Sequence, residues 1–212
     1  LSTQTRARNR ARDEGAMTEV TARRAATRDR LVEAALGVFA EKGVLGASVE
    51  EICEAAGFTR GAFYSNFASK DELCVAALQR QFDDQMLALA EAVASVDALP
   101  DTATLDEVIE AALSVFFTSR ESDKTWVLAA QELRLHAARS PEMAAFYRES
   151  HRLGTEAVSG VIEQAVTRHG YELVASGPEA VGVLHAVHDY GVLGALIGSD
   201  TIAGDVRVRL LS

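Results

Sequence analysis

Residues 48–67 read SVEEICEAAGFTRGAFYSNF: a short helix, a glycine turn and a second short helix. Ser48 and Glu51 stand in capping-box relation, the hydroxyl and the carboxylate each taking a free backbone N–H of the helix start. Val49, Ile52, Cys53 and Ala56 then share one face, and Gly57 stops the helix after two turns, as a glycine beyond a C-terminus does. Thr59 caps the second helix, with Phe58 and Phe63 in the positions of a hydrophobic staple. Phe63 and Phe67, four residues apart, are expected to face inward; Arg60 with Tyr64, and Gly61 with Ser65, share the outward face. This is the order of a helix-turn-helix, whose second helix enters a DNA major groove.

Entry into a groove requires a narrow, exposed helix N-terminus. Gly61 and Ala62 keep that end narrow, and its free N–H groups favour phosphate. Thr59, Arg60, Tyr64, Ser65 and Asn66 offer hydroxyl, guanidinium and amide groups to phosphates and base edges. A lone helical corner is weak support for DNA binding, because helix bundles contain many. Here the staple and the adjacent capping boxes act together.

Working outward, apolar spacings of three and four dominate, and no run of alternating β-branched residues occurs, so the chain reads as all-α. Prolines stand only at 100, 141 and 178. Upstream, a helix is expected from about 28 to 42, with Thr27 as its N-cap, an apolar stripe of Leu31, Val32, Ala35, Leu36 and Phe39, and Gly43 as its stop. Residues 1–26, rich in Arg, Ala and Thr, are expected to be a mobile arm or a polar helical extension. Downstream, Ser69 and Glu72 open a long helix to about Ala94, and Thr104 with Glu107 opens another. Further helices are expected over about 124–138, from Ser140-Pro141 to about His169, from Gly177-Pro178 to about Ile197, and from near Ala203 to the end. The expectation is about nine helices in three parts: an arm over 1–26, a helix-turn-helix domain over 27–68, and a helical bundle over 69–212.

The chain has 212 residues and a net charge of −10. That charge alone argues against a nucleic-acid partner, but it is unevenly spread. Eight arginines against four acidic residues give the first thirty residues +4, residues 31–80 carry −3, and residues 81–212 carry −11. The acid therefore belongs mainly to the bundle, and a basic segment leads the helix-turn-helix. A solvated tail and an arm reaching the adjacent minor groove are both open for that segment. No apolar run is long enough to span a bilayer, and the polar N-terminus lacks the apolar core of a secretory signal, so a cytoplasmic location without a membrane partner is expected. Cys53 and Cys74 cannot make a disulfide framework and read as buried thiols. No nucleophile elbow, phosphate loop or paired metal motif is present, so neither catalysis nor a cofactor is expected. His185 and His188 share a helix face without further ligands at helical spacing, so they read as packing or interface residues.

The stretch 27–78 resembles the N-terminal domain of TetR-family transcriptional regulators. The resemblance lies in TRDRLVEAALGVFAEKG, then ASVEEICEAAGFTRGAFYSNF, then ASKDELCVAAL, with Ser48, Val49, Ile52, Ala56, Gly57, Gly61, Tyr64, Phe67, Lys70 and Leu73 on the family pattern. Asn66 departs from it, since many members carry histidine there. The resemblance implies a homodimer on a palindromic operator of double-stranded DNA, usually a repressor, released by a small molecule. It places Tyr64, Lys70, Ser48 and Thr59 on phosphate and Arg60, Gly61 and Ala62 near bases, and the same face includes Thr27, Arg28, Ser65 and Asn66. The helix from Ser69 would join the two domains as the lever through which the small molecule acts. A helical small-molecule carrier or enzyme with a vestigial helix-turn-helix is the alternative.

Phe82, Met86, Phe116, Phe117, Trp126, Phe146 and Tyr147 lie at helical spacings that serve an ordinary core as well as a pocket. The resemblance favours a pocket for a largely apolar effector, oriented by Gln131, Arg134 and His151. Gly182, Gly191, Gly194 and Gly198 thin one helix, which reads as close helix approach. By resemblance, that helix and the last one would form the dimer interface.

Overall fold

A computed structural model of the chain describes residues 2–100, 102–104, 106–108 and 124–198. Among them are seven helices and no strand: α1 (Ser2–Gly46), α2 (Val49–Ala56), α3 (Arg60–Tyr64), α4 (Lys70–Asp97), α5 (Lys124–Ala137), α6 (Pro141–Arg168) and α7 (Gly177–Leu196). The helix expected after Thr104 is described only at its start, where its capping box is formed: the Thr104 N–H donates to Glu107 Oε2 at 2.7 Å. The rest of that helix, including Phe116 and Phe117, and the helix expected from Ala203 lie outside the described residues.

The chain divides into two compact units, residues 1–77 and residues 78–212. In the first, α1 packs on α2 and α2 on α3. The stripe expected of α1 forms the core, with Leu31, Ala35 and Phe39 fully buried beside Ile52, Phe63 and Phe67. Burial of each leucine, isoleucine or phenylalanine among them contributes about 1.5–3 kcal/mol. The first turns of α4 belong to this core as well, because Leu73, Cys74 and Ala77 are buried in it. The division between units thus falls inside α4, after Ala77, rather than before Ser69.

α1 corrects the expected start at residue 28. It runs from Ser2 through Thr27 to a break at Gly43, whose φ of 72° and ψ of 160° are not helical. Residues 2–26 are dominated by good helix formers, Ala and Arg among them, and contain no proline to stop the helix. Thr27 is therefore not an N-cap. Its hydroxyl donates to the Arg23 carbonyl at 2.9 Å, one turn back in the same helix, a bond open to any threonine inside a helix.

In the second unit, α6 packs on α7 and α5 packs on both. Leu89, Val158, Ile162, Val166 and Val181 form one buried cluster, with Met86 and Val93 packed against it. The Ser140 hydroxyl caps α6 ahead of Pro141. Close helix approach occurs at Gly177, where an added Cβ would stand 2.9 Å from the Ser159 Cβ. The Gly177 N–H donates to Glu163 Oε1 at 3.0 Å. Close approach was expected at Gly182 and the glycines after it, yet a Cβ on Gly182 would meet nothing within 4 Å. Along the outside of α7, Val183, Tyr190, Leu193 and Ile197 are exposed.

Candidate nucleic-acid interface and ligand cavity

The helix-turn-helix is built as its sequence dictates. The Ser48 hydroxyl accepts the Glu51 N–H at 3.2 Å, and Glu51 Oε2 accepts the Ser48 N–H at 2.9 Å. Lys42 pairs with the same carboxylate. Together the lysine and the two Ser48 donors hold the Glu51 carboxyl at about 2. Gly57 closes α2 in the left-handed region, at φ 70° and ψ 33°, a conformation that costs other residues steric energy. The Thr59 hydroxyl accepts the Ala62 N–H at 3.2 Å and so fixes where α3 begins.

This turn presents Thr59, Arg60, Gly61, Tyr64 and Ser65 to solvent, with Ala62 half-buried between them. The Tyr64 ring stands edge-on against the buried Phe63, its centroid 5.2 Å away, which stiffens the exposed aromatic side chain of α3. Arg60 lies over the Tyr64 ring and pairs with Glu50 of α2. Gly61 is notable for what the fold does not ask of it. Its φ is ordinary, and an added Cβ would meet only Thr59 Oγ1, at 3.6 Å. Nothing inside the protein requires glycine there; an outside surface approaching the helix backbone would.

Five residues expected on this face make bonds within the protein. Asn66 is buried, and its Nδ2 donates to the Ala62 carbonyl at 2.8 Å, closing the end of α3. Arg28 donates to the Asn66 carbonyl, lies 4.1 Å from the Phe67 ring centroid and reaches Glu72. Lys70 donates to the carbonyls of Val44 and Ala47 at 2.6 and 2.8 Å, so its ammonium caps the end of α1. Thr27 bonds within its own helix. Ser48 is half-buried with its hydroxyl committed to the cap.

The sequence reading missed a common device in these contacts. Arg24 donates to the Ser65 carbonyl at 3.3 Å, and Arg30 to the Ala56 carbonyl at 2.9 Å while lying over the Phe58 ring. Cations from α1 thus satisfy the carbonyl ends of α2 and α3, where the helix dipole favours positive charge. Arginines 24 and 28, one turn apart, are the signal that could have revealed it.

The second unit encloses a cavity of about 240 Å³. It gathers eight of the ten candidate pocket residues: Phe82 and Met86 from α4, Trp126, Gln131 and Arg134 from α5, and Phe146, Tyr147 and His151 from α6. The other two, Phe116 and Phe117, lie outside the described residues. His185, His188 and Asp189 of α7 line it too, so the two histidines face the cavity instead of serving only as packing. The polar end is a connected group. Arg134 and Asp189 form an ion pair between α5 and α7. Tyr147 stacks on His151, and the rings of His151 and His185 are 5.6 Å apart. Burial, followed by the neighbouring His151, lowers the basicity of His185. Burial pushes the Tyr147 hydroxyl up. The rest of the wall mixes apolar Leu78, Leu89, Val127 and Val158 with uncharged polar Gln81, Gln85, Ser150 and Thr155.

Cys53 and Cys74 are free and buried, and burial pushes both thiols up, Cys74 to about 12. Among the described residues, no group of three metal-ligating side chains could hold an ion, and no helix is long and apolar enough to cross a membrane.

Residues 31–77 match the family described as bacterial regulatory proteins, tetR family. The HTH-type transcriptional activator FasR of Mycolicibacterium smegmatis is 29% identical over 162 residues, which cover 74% of this chain and 68% of that protein. The HTH-type transcriptional regulator UidR of Escherichia coli K12 is 29% identical over 133 residues, and the match spans 63% of its length, under two thirds. Among solved structures, the transcriptional regulator FadR from Bacillus subtilis, in complex with stearoyl-CoA, gives a TM-score of 0.65 at 16% identity, covering 86% of this chain and 94% of that one. At that identity the likeness is one of fold. All three are named as regulators of transcription.

Proposed function

We propose, for a chain that belongs to the TetR family of bacterial regulatory proteins, that it is a homodimeric repressor which binds a palindromic operator and leaves it when a small molecule enters the cavity of its second unit. The observation that carries the DNA half is the exposed α3 edge, where Arg60, Tyr64 and Ser65 flank a glycine that the fold itself does not need. A groove-docked α3 explains that glycine, since backbone close to DNA leaves no room for a side chain.

Two observations support the finer points. Val183, Tyr190, Leu193 and Ile197 form an exposed apolar stripe on α7, a surface that a second copy would cover. Gly182, with open space where a Cβ would be, lies on the same helix and would let a partner helix approach. For the effector, the cavity joins an apolar wall to a polar end, so its ligand is amphipathic rather than purely apolar. The FadR structure, with stearoyl-CoA bound, supports a small-molecule role for such a unit. Repression follows the usual sense of the family, although the relative FasR is named an activator. Release requires the ligand to favour a form of the dimer in which the two recognition helices no longer match the operator.

A mobility-shift assay on the DNA upstream of its own coding region tests the reading. Retardation at moderate salt, weakened on every sequence by Tyr64→Ala and made less selective by Arg60→Ala, is expected. Absence of any retarded fragment, or full affinity in Tyr64→Ala, would contradict it.

A further inference from the structure

We propose that the cavity of the second unit selects a small amphipathic carboxylate, whose carboxylate takes the place of Asp189 on the Arg134 guanidinium and so unties α7 from α5. The inference rests on the effector reading of that cavity and goes on to name the ligand's chemistry and the contact it breaks.

The geometry points this way because Arg134 already holds a carboxylate at the cavity wall. The ion pair with Asp189 joins residues of two helices and is only half-buried, so a ligand can reach it. A guanidinium offers a planar fork that suits a carboxylate better than any neutral head group. Asp189 therefore marks where a ligand carboxylate would sit.

The charge reserve of the wall is one-sided. Among the described lining residues, Arg134 alone carries a fixed positive charge and Asp189 alone is acidic. The remaining titratable groups are Tyr147 and His151 from α6 and His185 and His188 from α7; α4 contributes glutamines but no charge. A cationic ligand would find the single carboxylate already committed to Arg134. An anionic ligand would find Arg134 and three imidazoles whose ring N–H groups can donate hydrogen bonds.

The other end sets the rest of the ligand. Phe82, Met86, Trp126 and Val158 form an apolar wall. A volume of about 240 Å³ equals the share of on the order of eight waters. That suits a short aryl or alkyl body bearing one head group.

Trp126 lines the cavity and is the only tryptophan of the chain, so its fluorescence reports an occupant directly. The probes are 4-phenylbutyrate, 4-phenylbutan-1-ol and 4-phenylbutylamine, which share a body and differ in head group. The carboxylate is expected to saturate the Trp126 signal at a concentration at least tenfold below the alcohol, with the amine weakest. Arg134→Gln should abolish that advantage, Arg134→Lys should keep part of it, and Asp189→Asn should tighten the carboxylate severalfold more than it tightens the alcohol. Circular dichroism of each variant checks that the fold is kept. An alcohol or amine that binds as tightly as the carboxylate, or an Arg134→Gln protein that keeps the advantage, would overturn the assignment and leave the effector reading standing. Silence from all three probes would overturn both.

Discussion

The guanidinium of Arg60 lies 5.7 Å from the ring centroid of Tyr64, one turn along α3, and pairs with the carboxylate of Glu50 on α2. In the proposed docking, one of the two side chains meant for DNA is therefore held by a carboxylate that a base edge or a phosphate would have to displace. On the proposed docking, Glu50 would compete with DNA for Arg60 and limit indiscriminate binding.

Glu50→Gln should release that restraint. Affinity for arbitrary duplexes is expected to rise about two- to fivefold, and the slope of log affinity against log salt to steepen by about one, as for one added phosphate contact. Fluorescence anisotropy at several salt concentrations measures both. An unchanged slope would show that Arg60 does not meet phosphate.

Gly61→Ala separates fold from docking. Alanine is the better helix former by about 1 kcal/mol, and its Cβ meets only an ordinary 3.6 Å contact. The variant should be as stable as the parent or more so, yet bind operator DNA at least tenfold more weakly. A stable variant with full affinity would mean that α3 does not bring its backbone close to the groove.

Glu51 sets an acid limit for the first unit. The Lys42 ammonium and the Ser48 donors hold its carboxyl at about 2, against an ordinary 4.5. A depressed carboxylate stabilises the fold above its unfolded pKa and loses that contribution as pH falls through the folded one. Glu51→Gln should therefore melt below the parent at neutral pH, with the gap closing between about pH 4.5 and 2. A gap that persists at pH 2 would show that the charge of Glu51 is not what stabilises the cap.

The thiols should be inert. Burial keeps Cys53 and Cys74 protonated, and the thiolate is the reactive form. An aromatic disulfide at pH 8 should label neither in the native protein and both once it is denatured. Rapid labelling of the native protein would reopen a redox role.

Much of this was legible in the residues because it is local. Capping boxes, a left-handed Gly57 and the Phe63/Phe67 pair depend on neighbours within one turn, and each stands where its spacing puts it. Helical spacing marked Phe82 and Trp126 as core or pocket alike, and the resemblance with the nearby polar Arg134 and His151 favoured a pocket; all four line the cavity. Long-range pairing was not legible. Lys70 is drawn to the carbonyls of Val44 and Ala47, and Arg28 to the carbonyl of Asn66, and no local pattern says where a carbonyl end will be found. Asn66 looked like a polar surface residue because its type is polar; its inward turn follows from the tight end of α3, where its amide replaces a missing backbone donor. Asp189 escaped notice for the same reason, since its partner is 55 residues away.

The measurement that bears most directly on the whole reading is selection of bound duplexes from a random DNA pool by the intact protein, followed by sequencing. An inverted repeat should be enriched, with half-sites about one helical turn or a multiple apart, and bound by two chains per duplex. A pool that yields no enriched sequence, or only a single half-site bound by one chain, would contradict a dimeric regulator that reads DNA through α3.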